Sequence, residues 1–94
     1  MVVIMLDAKI KPGMLDDFKN WITESNKVIS KFDGFVSRRL LESMDGSHRV
    51  LVEFQTHEQL IRMSQSPEHQ TVHKQGQELR ESGPTPTMYK VIAE

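Results

Sequence analysis

The chain opens on an apolar run in which Val2, Val3, Ile4, Met5 and Leu6 stand in succession and Ala8 and Ile10 follow Asp7. A near-continuous run of this kind marks a strand that is covered on both faces, because a half-solvated strand would alternate with polar residues. Lys11-Pro12-Gly13 stops it. Side chains alternate along a strand, so Ile4, Leu6, Ala8 and Ile10 share one face while Val3, Met5, Asp7 and Lys9 share the other. The chain must therefore find a cover for each side.

The first cover is legible further along. From Met14 the apolar residues fall at Met14, Phe18, Trp21, Ile22, Val28, Ile29 and Phe32, a helical spacing with Asp16 and Asp17 near the positive N-terminal end. Asp33-Gly34 ends that helix. Phe35 to Ser43 and Arg49 to Gln55 read as two strands joined through Asp45-Gly46, a strong hairpin dipeptide. Thr56 caps a short helix carrying Leu60, Ile61 and Met63. Ser66-Pro67-Glu68 then starts a helical segment that runs through Val72 and Leu79 to about Glu81, where Gly83-Pro84 closes it. Met88 to Ala93 forms a last strand.

This order predicts one α+β domain over 1–94: the ferredoxin-like split β-α-β-β-α-β arrangement, a four-stranded antiparallel sheet with the helices on one face. Helices on one side leave the other face of the sheet bare, and a bare apolar face invites association. The expected second cover is a second copy of the chain, sheet against sheet across a two-fold axis, which also suits a domain too short to bury much surface alone. Arg38, Arg39 and Glu53 on the inner strands are the residues that favour a monomer instead.

Several function classes find no support. The formal charge is −1, from 12 basic and 13 acidic residues spread along the chain, which provides no basic field for nucleic acid or an acidic membrane surface. Cysteine is absent, so disulfides, thiolate metal sites and thiol nucleophiles are excluded, and a reducing compartment is expected. The N-terminal run has no basic segment before it and meets a charge at Asp7, which fits neither a signal peptide nor a membrane span; a cytoplasmic, soluble protein is the expectation. No glycine-rich nucleotide fingerprint suggests a flavin, dinucleotide or nucleoside triphosphate. No Gly-x-Ser-x-Gly elbow suggests acyl-enzyme chemistry.

The residues able to carry chemistry cluster in Ser66–Lys74, SPEHQTVHK. His69 and His73 lie four apart on one helix face, a pair able to share a divalent metal. Two ligands make an incomplete site. A third would come from Asp7 or Glu68, and HQTVH lacks the glutamate of a zinc-protease helix. His69 alone is expected to face solvent at the first turn, with His73 at the border of the Val72, Gly76 and Leu79 stripe. Asp7 needs a partner, because an unpaired carboxylate within an apolar strand is costly. Near the strand end, Lys9 and Lys90 are the candidates, or water if it stays hydrated. Trp21 reads as core or as a stacking surface for a flat ligand. Arg38 and Arg39 point to alternating faces, the pattern of a rim ion pair or of a contact to an acidic substrate.

The whole chain resembles the antibiotic biosynthesis monooxygenase superfamily of dimeric α/β barrels. The resemblance rests on Asp33-Gly34-Phe35 after the first helix, the hairpin into Val52-Glu53-Phe54, Ser66-x-x-His69-x-x-x-His73, and Met88-Tyr89-Lys90-Val91. It is nearest to the IsdG-type haem-degrading monooxygenases, whose strand-one Asn, helix Trp and axial His fall on Asp7, Met63 and His73. It implies a homodimer with a pocket in each subunit for a flat aromatic or tetrapyrrole ligand, and haem bound through His73 with Met63, Val72 and Trp21 around it. Two departures bear on haem cleavage. An ionised Asp7 accepts hydrogen bonds but cannot donate one to iron-bound oxygen, and Met63 is more flexible than an indole. The leading expectation from the resemblance is haem binding and oxidative haem degradation with His73 as axial ligand. The alternative it implies is the second class, the cofactor-independent oxygenases of quinols and polycyclic phenols, with Asp7 and His73 moving the proton. A ligand-binding or stress protein that kept the fold and lost the chemistry is the third expectation.

Overall fold

In the computed structural model, which describes residues 1–94, the elements run β1 (Val2–Asp7), α1 (Leu15–Ile29), β2 (Phe35–Glu42), β3 (His48–Phe54), α2 (His57–Ser64), α3 (Pro67–Gln77) and β4 (Pro86–Lys90). The four strands are antiparallel in the order β2-β3-β1-β4, the split βαβ topology expected. The β2–β3 hairpin turns at Gly46, whose φ of 87° lies in the left-handed region that glycine enters without steric cost. Asp45 reinforces the turn by accepting the backbone N–H of Ser47 at 2.9 Å and its hydroxyl at 2.8 Å.

Both expected caps form. The Thr56 hydroxyl oxygen accepts the backbone N–H of Gln59 at 3.1 Å and opens α2. Ser66 accepts the N–H of His69 at 3.1 Å and opens α3, with Pro67 in its first turn.

The core lies between the helices and one sheet face. Phe18 and Ile29 of α1 and Phe54 of β3 are completely buried, and Val50, Val52, Leu60, Met63 and Val72 close around them. Each such side chain contributes about 1.5–3 kcal/mol of burial. The opposite face carries Val3, Met5 and Asp7 of β1 beside Glu53, Leu51 and Arg49 of β3 in register. Its charges are paired within the face: Arg39 with Glu53 at 3.0 Å and Arg49 with Asp7 at 3.6 Å.

Four boundaries differ from expectation. α1 ends at Ile29 rather than at Asp33-Gly34, its last turns tightening as Lys31 donates to the carbonyl of Val28 and Phe32 to that of Ile29, both at 3.2 Å. The other three differ for a long-range reason. β1 stops at Asp7 because the backbone beyond it turns to another partner, the segment after α3: Glu81 donates to the carbonyl of Lys9 at 2.8 Å, and Lys11 donates to that of Leu79 at 2.9 Å. α3 ends at Gln77 rather than near Glu81, and Arg80 bridges Ile10 instead. β4 covers Pro86–Lys90 rather than 88–93, since its one partner is β1 and Val91 already bonds to Met1, where β1 runs out.

Candidate functional site

A cavity of about 200 Å³ lies between the helices and the sheet. Ile4, Leu6, Val50 and Val52 form its floor on β1 and β3, and Trp21, Leu60, Met63 and Val72 enclose it from the helices. Its polar wall consists of Arg38, His69, His73 and Arg80.

Trp21 is fixed by α3. Its indole N–H donates to the carbonyl of Val72 at 3.0 Å. Its ring packs on Phe18 with centroids 5.0 Å apart and fills the space beside Gly76, where a Cβ would lie 2.4 Å from Cζ2. Two guanidiniums stand against the same indole, Arg38 at 4.8 Å and Arg80 at 5.2 Å from the ring centroid, within cation–π range.

Arg38 is turned inward by strand alternation while Arg39 pairs with Glu53 outside, so only Arg39 makes the surface ion pair that the sequence suggests. The guanidinium of Arg38 donates to the Ser25 hydroxyl at 2.6 Å and the Asn26 side-chain oxygen at 2.8 Å. Burial, with the neighbouring Arg80 charge, pulls it down to about 10, still protonated at neutral pH. Arg80 is more isolated. It is 9 % exposed, and its Nε and Nη1 have no hydrogen-bond partner. Sequence reasoning missed this residue, since an arginine just past a helix end reads as a solvated charge on the helix dipole.

His69 and His73 stack with ring centroids 6.0 Å apart. His69 does not face solvent as expected but lines the cavity, partly buried. Burial pulls it below its ordinary 6.5, and the charges of His73 and Arg38 add to this against a weaker pull from the Ser64 carbonyl. His73 is lowered too, by burial first and then by Arg80. Both rings are therefore neutral at neutral pH. The Gln77 amide nitrogen lies 3.1 Å from Nε2 of His73.

The residues singled out in the sequence, Asp7, Trp21, Met63, Val72 and His73, all border the cavity. One expected pairing is not made. Asp7 shares the open face with Val3 and Met5, and its half-exposed carboxylate meets Arg49 rather than His73, Lys9 or Lys90. Nor does a third ligand join the two histidines: no group of three or more His, Cys, Asp or Glu side chains is placed to hold a metal ion.

Haem fits this arrangement poorly. Drug-sized ligands occupy sites of about 300–1,000 Å³, and a tetrapyrrole would require the cavity of about 200 Å³ to open. His73, the residue that would hold the iron, has its Nε2 engaged with the Gln77 amide. No helix of the chain is long and apolar enough to cross a membrane.

A family model described as antibiotic biosynthesis monooxygenase matches residues 1–75. No curated protein matches the chain. Among solved structures, Rv0793 from Mycobacterium tuberculosis is 22% identical, covering 99% of this chain and 96% of its own, with a TM-score of 0.82. SnoaB from Streptomyces nogalater, described as a cofactor-independent oxygenase, is 15% identical over 99% of this chain and 94% of its own, with a TM-score of 0.84. A conserved protein from Methanosarcina mazei Go1 is 13% identical over 95% and 90% of the two chains, with a TM-score of 0.84. At these identities the likeness is one of fold.

Proposed function

The chain belongs to the antibiotic biosynthesis monooxygenase family, and on that premise we propose that it is a cofactor-independent oxygenase of a small, flat, electron-rich phenol or quinol. The observation that carries this reading is a pair of imidazoles held neutral in the wall of a cavity whose floor and helix side are apolar. A neutral imidazole at the edge of a cavity with an apolar floor is a suitable base for a phenolic proton. SnoaB, which shares the fold, lends the reaction class by analogy.

In this reading a substrate hydroxyl takes the place of the Gln77 amide at Nε2 of His73 and gives up its proton there. The aromatic body lies among Leu6, Met63 and Val72 with Trp21 as a stacking wall. The resulting anion passes one electron to molecular oxygen, and the two radicals combine in a carbon–oxygen bond. For a ring methylene the balance is CH2 plus O2 giving C=O plus H2O: loss of the second C–H proton breaks the O–O bond, and the departing hydroxide takes the proton held by the imidazolium. Substrate supplies all four electrons, so no further reductant enters. His69 stacks against His73 and adds a second imidazole to the same wall.

Haem binding through His73 is the second reading: His73 lines the cavity, and the cavity would have to open to take the ring. The homodimer belongs to the same proposal. Leu41 and Tyr89 are 36% and 52% exposed in the single chain, and with Val3, Met5 and Leu51 they leave an apolar band that a second sheet would cover.

Oxygen uptake with a panel of anthrones and quinols tests the first reading, and a haemin titration beside His73→Ala tests the second. Accelerated uptake that His73→Ala loses supports the oxygenase. A saturable Soret shift that His73→Ala loses supports haem. If neither appears, the domain is a non-catalytic ligand binder.

A further inference from the structure

The chain forms five ion pairs, and neither Arg38 nor Arg80 belongs to any of them. Both guanidiniums nevertheless line one cavity, on opposite sides of the problem of burial. Arg38 has neutral oxygens from Ser25 and Asn26 as partners; Arg80, nine-tenths buried, leaves Nε and Nη1 without any. The one acidic residue bordering the cavity, Asp7, has its carboxylate on the open sheet face, held by Arg49. A buried charge is ordinarily paired or hydrogen-bonded, and a cation with two unused donors beside another cation is an incomplete arrangement.

Nothing in the local backbone frees Arg80 to leave. Its position is set by the bridge to Ile10 and by flanking bonds from Lys11 to Leu79 and from Glu81 to Lys9. Its guanidinium rests over Phe18 and Trp21 at 5.7 and 5.2 Å, which orients the plane without satisfying its N–H groups. The remaining requirement is a planar oxygen anion presented from the cavity.

We propose that Arg80, with Arg38 supplying a second positive charge, is the anion subsite of this cavity and that its ligand is a small flat aromatic carrying a carboxylate. A carboxylate matches the guanidinium fork with two parallel N–H···O bonds, and the apolar floor takes the ring. The inference deepens the oxygenase reading by naming its substrate class, an aromatic acid, and rests on that reading only for the chemistry that follows binding.

Calorimetric titration of the protein with naphthoate and with the equally substituted naphthamide tests it without oxygen chemistry. The carboxylate is expected to bind at least roughly tenfold more tightly, the worth of one charge-assisted hydrogen bond. Arg80→Met should remove most of that preference, with Arg38 keeping the remainder, and Arg80→Lys should keep more of it than Arg80→Met. Equal affinities in the unaltered protein, no binding of naphthoate, or a preference that survives in full in a folded Arg80→Met variant overturns the proposal. Should Arg80→Met fail to fold, the comparison of the two ligands on the unaltered protein still decides. Because neither probe is oxidised, a carboxylate preference without oxygen uptake on any acidic phenol defeats the oxygenase reading alone; uptake on neutral phenols with no preference defeats this one alone.

Discussion

A Cβ placed on Gly76 would lie 2.4 Å from Cζ2 of Trp21. The absence of a side chain at one position of α3 thus makes room for the indole that forms the wall of the cavity and carries both arginines. Gly76→Ala is expected to destabilise the protein by about 1–3 kcal/mol through overpacking, less the gain in helix propensity of roughly 1 kcal/mol. Urea unfolding followed by fluorescence of the one tryptophan measures both the loss and the displaced ring.

Ser66 holds the start of α3 and thereby the backbone of His69, which donates to its hydroxyl oxygen at 3.1 Å. Ser66→Ala should cost about 1 kcal/mol of stability. Hydrogen exchange at the first turn of α3 should rise more than exchange in β3, since the loss is local.

The histidines set a pH dependence whose sign follows from their lowered values. The unfolded chain takes up protons near 6.5, while the folded protein does so only at lower pH. Between those values the unfolded state binds more protons, so stability falls as pH drops below about 6.5 and levels off once both states are protonated. Urea midpoints from neutral pH down to about 5 will show this slope, and His69→Ala with His73→Ala should flatten it. The acid limb of kcat/KM should likewise lie below 6.5.

The apolar band on the open sheet face predicts that Leu51→Arg converts a dimer into a monomer. Leu51 stands in register with Met5 and Arg39 at the middle of that face. Sedimentation velocity distinguishes the two species, and a monomeric unaltered protein would remove the second copy from the account.

The parts of this fold that were legible in the sequence are the parts that local chemistry decides. Thr56 and Ser66 cap because their side chains reach a backbone N–H three residues on, and Asp45-Gly46 turns because glycine adopts a positive φ there. Strand alternation alone already put Asp7 on the face opposite Ile4 and Leu6, and the structure keeps it there; only the family resemblance drew it toward His73. What escaped was decided by distant contacts. Arg80 is buried because Ile10 bridges it, 70 residues away along the chain. The polar composition of α3, with Gln70, Gln75 and Gln77 among its residues, left the Val72, Gly76 and Leu79 stripe too narrow to show that His69 turns inward.

The most direct test of the oxygenase reading is to supply anthrone to the purified protein under isotope-labelled molecular oxygen, with His73→Ala in parallel. The account predicts product carbonyl formed faster than in buffer, carrying one labelled oxygen, with the second recovered as water and the acceleration lost in the variant. No acceleration over buffer, or acceleration that His73→Ala retains in full, would contradict it.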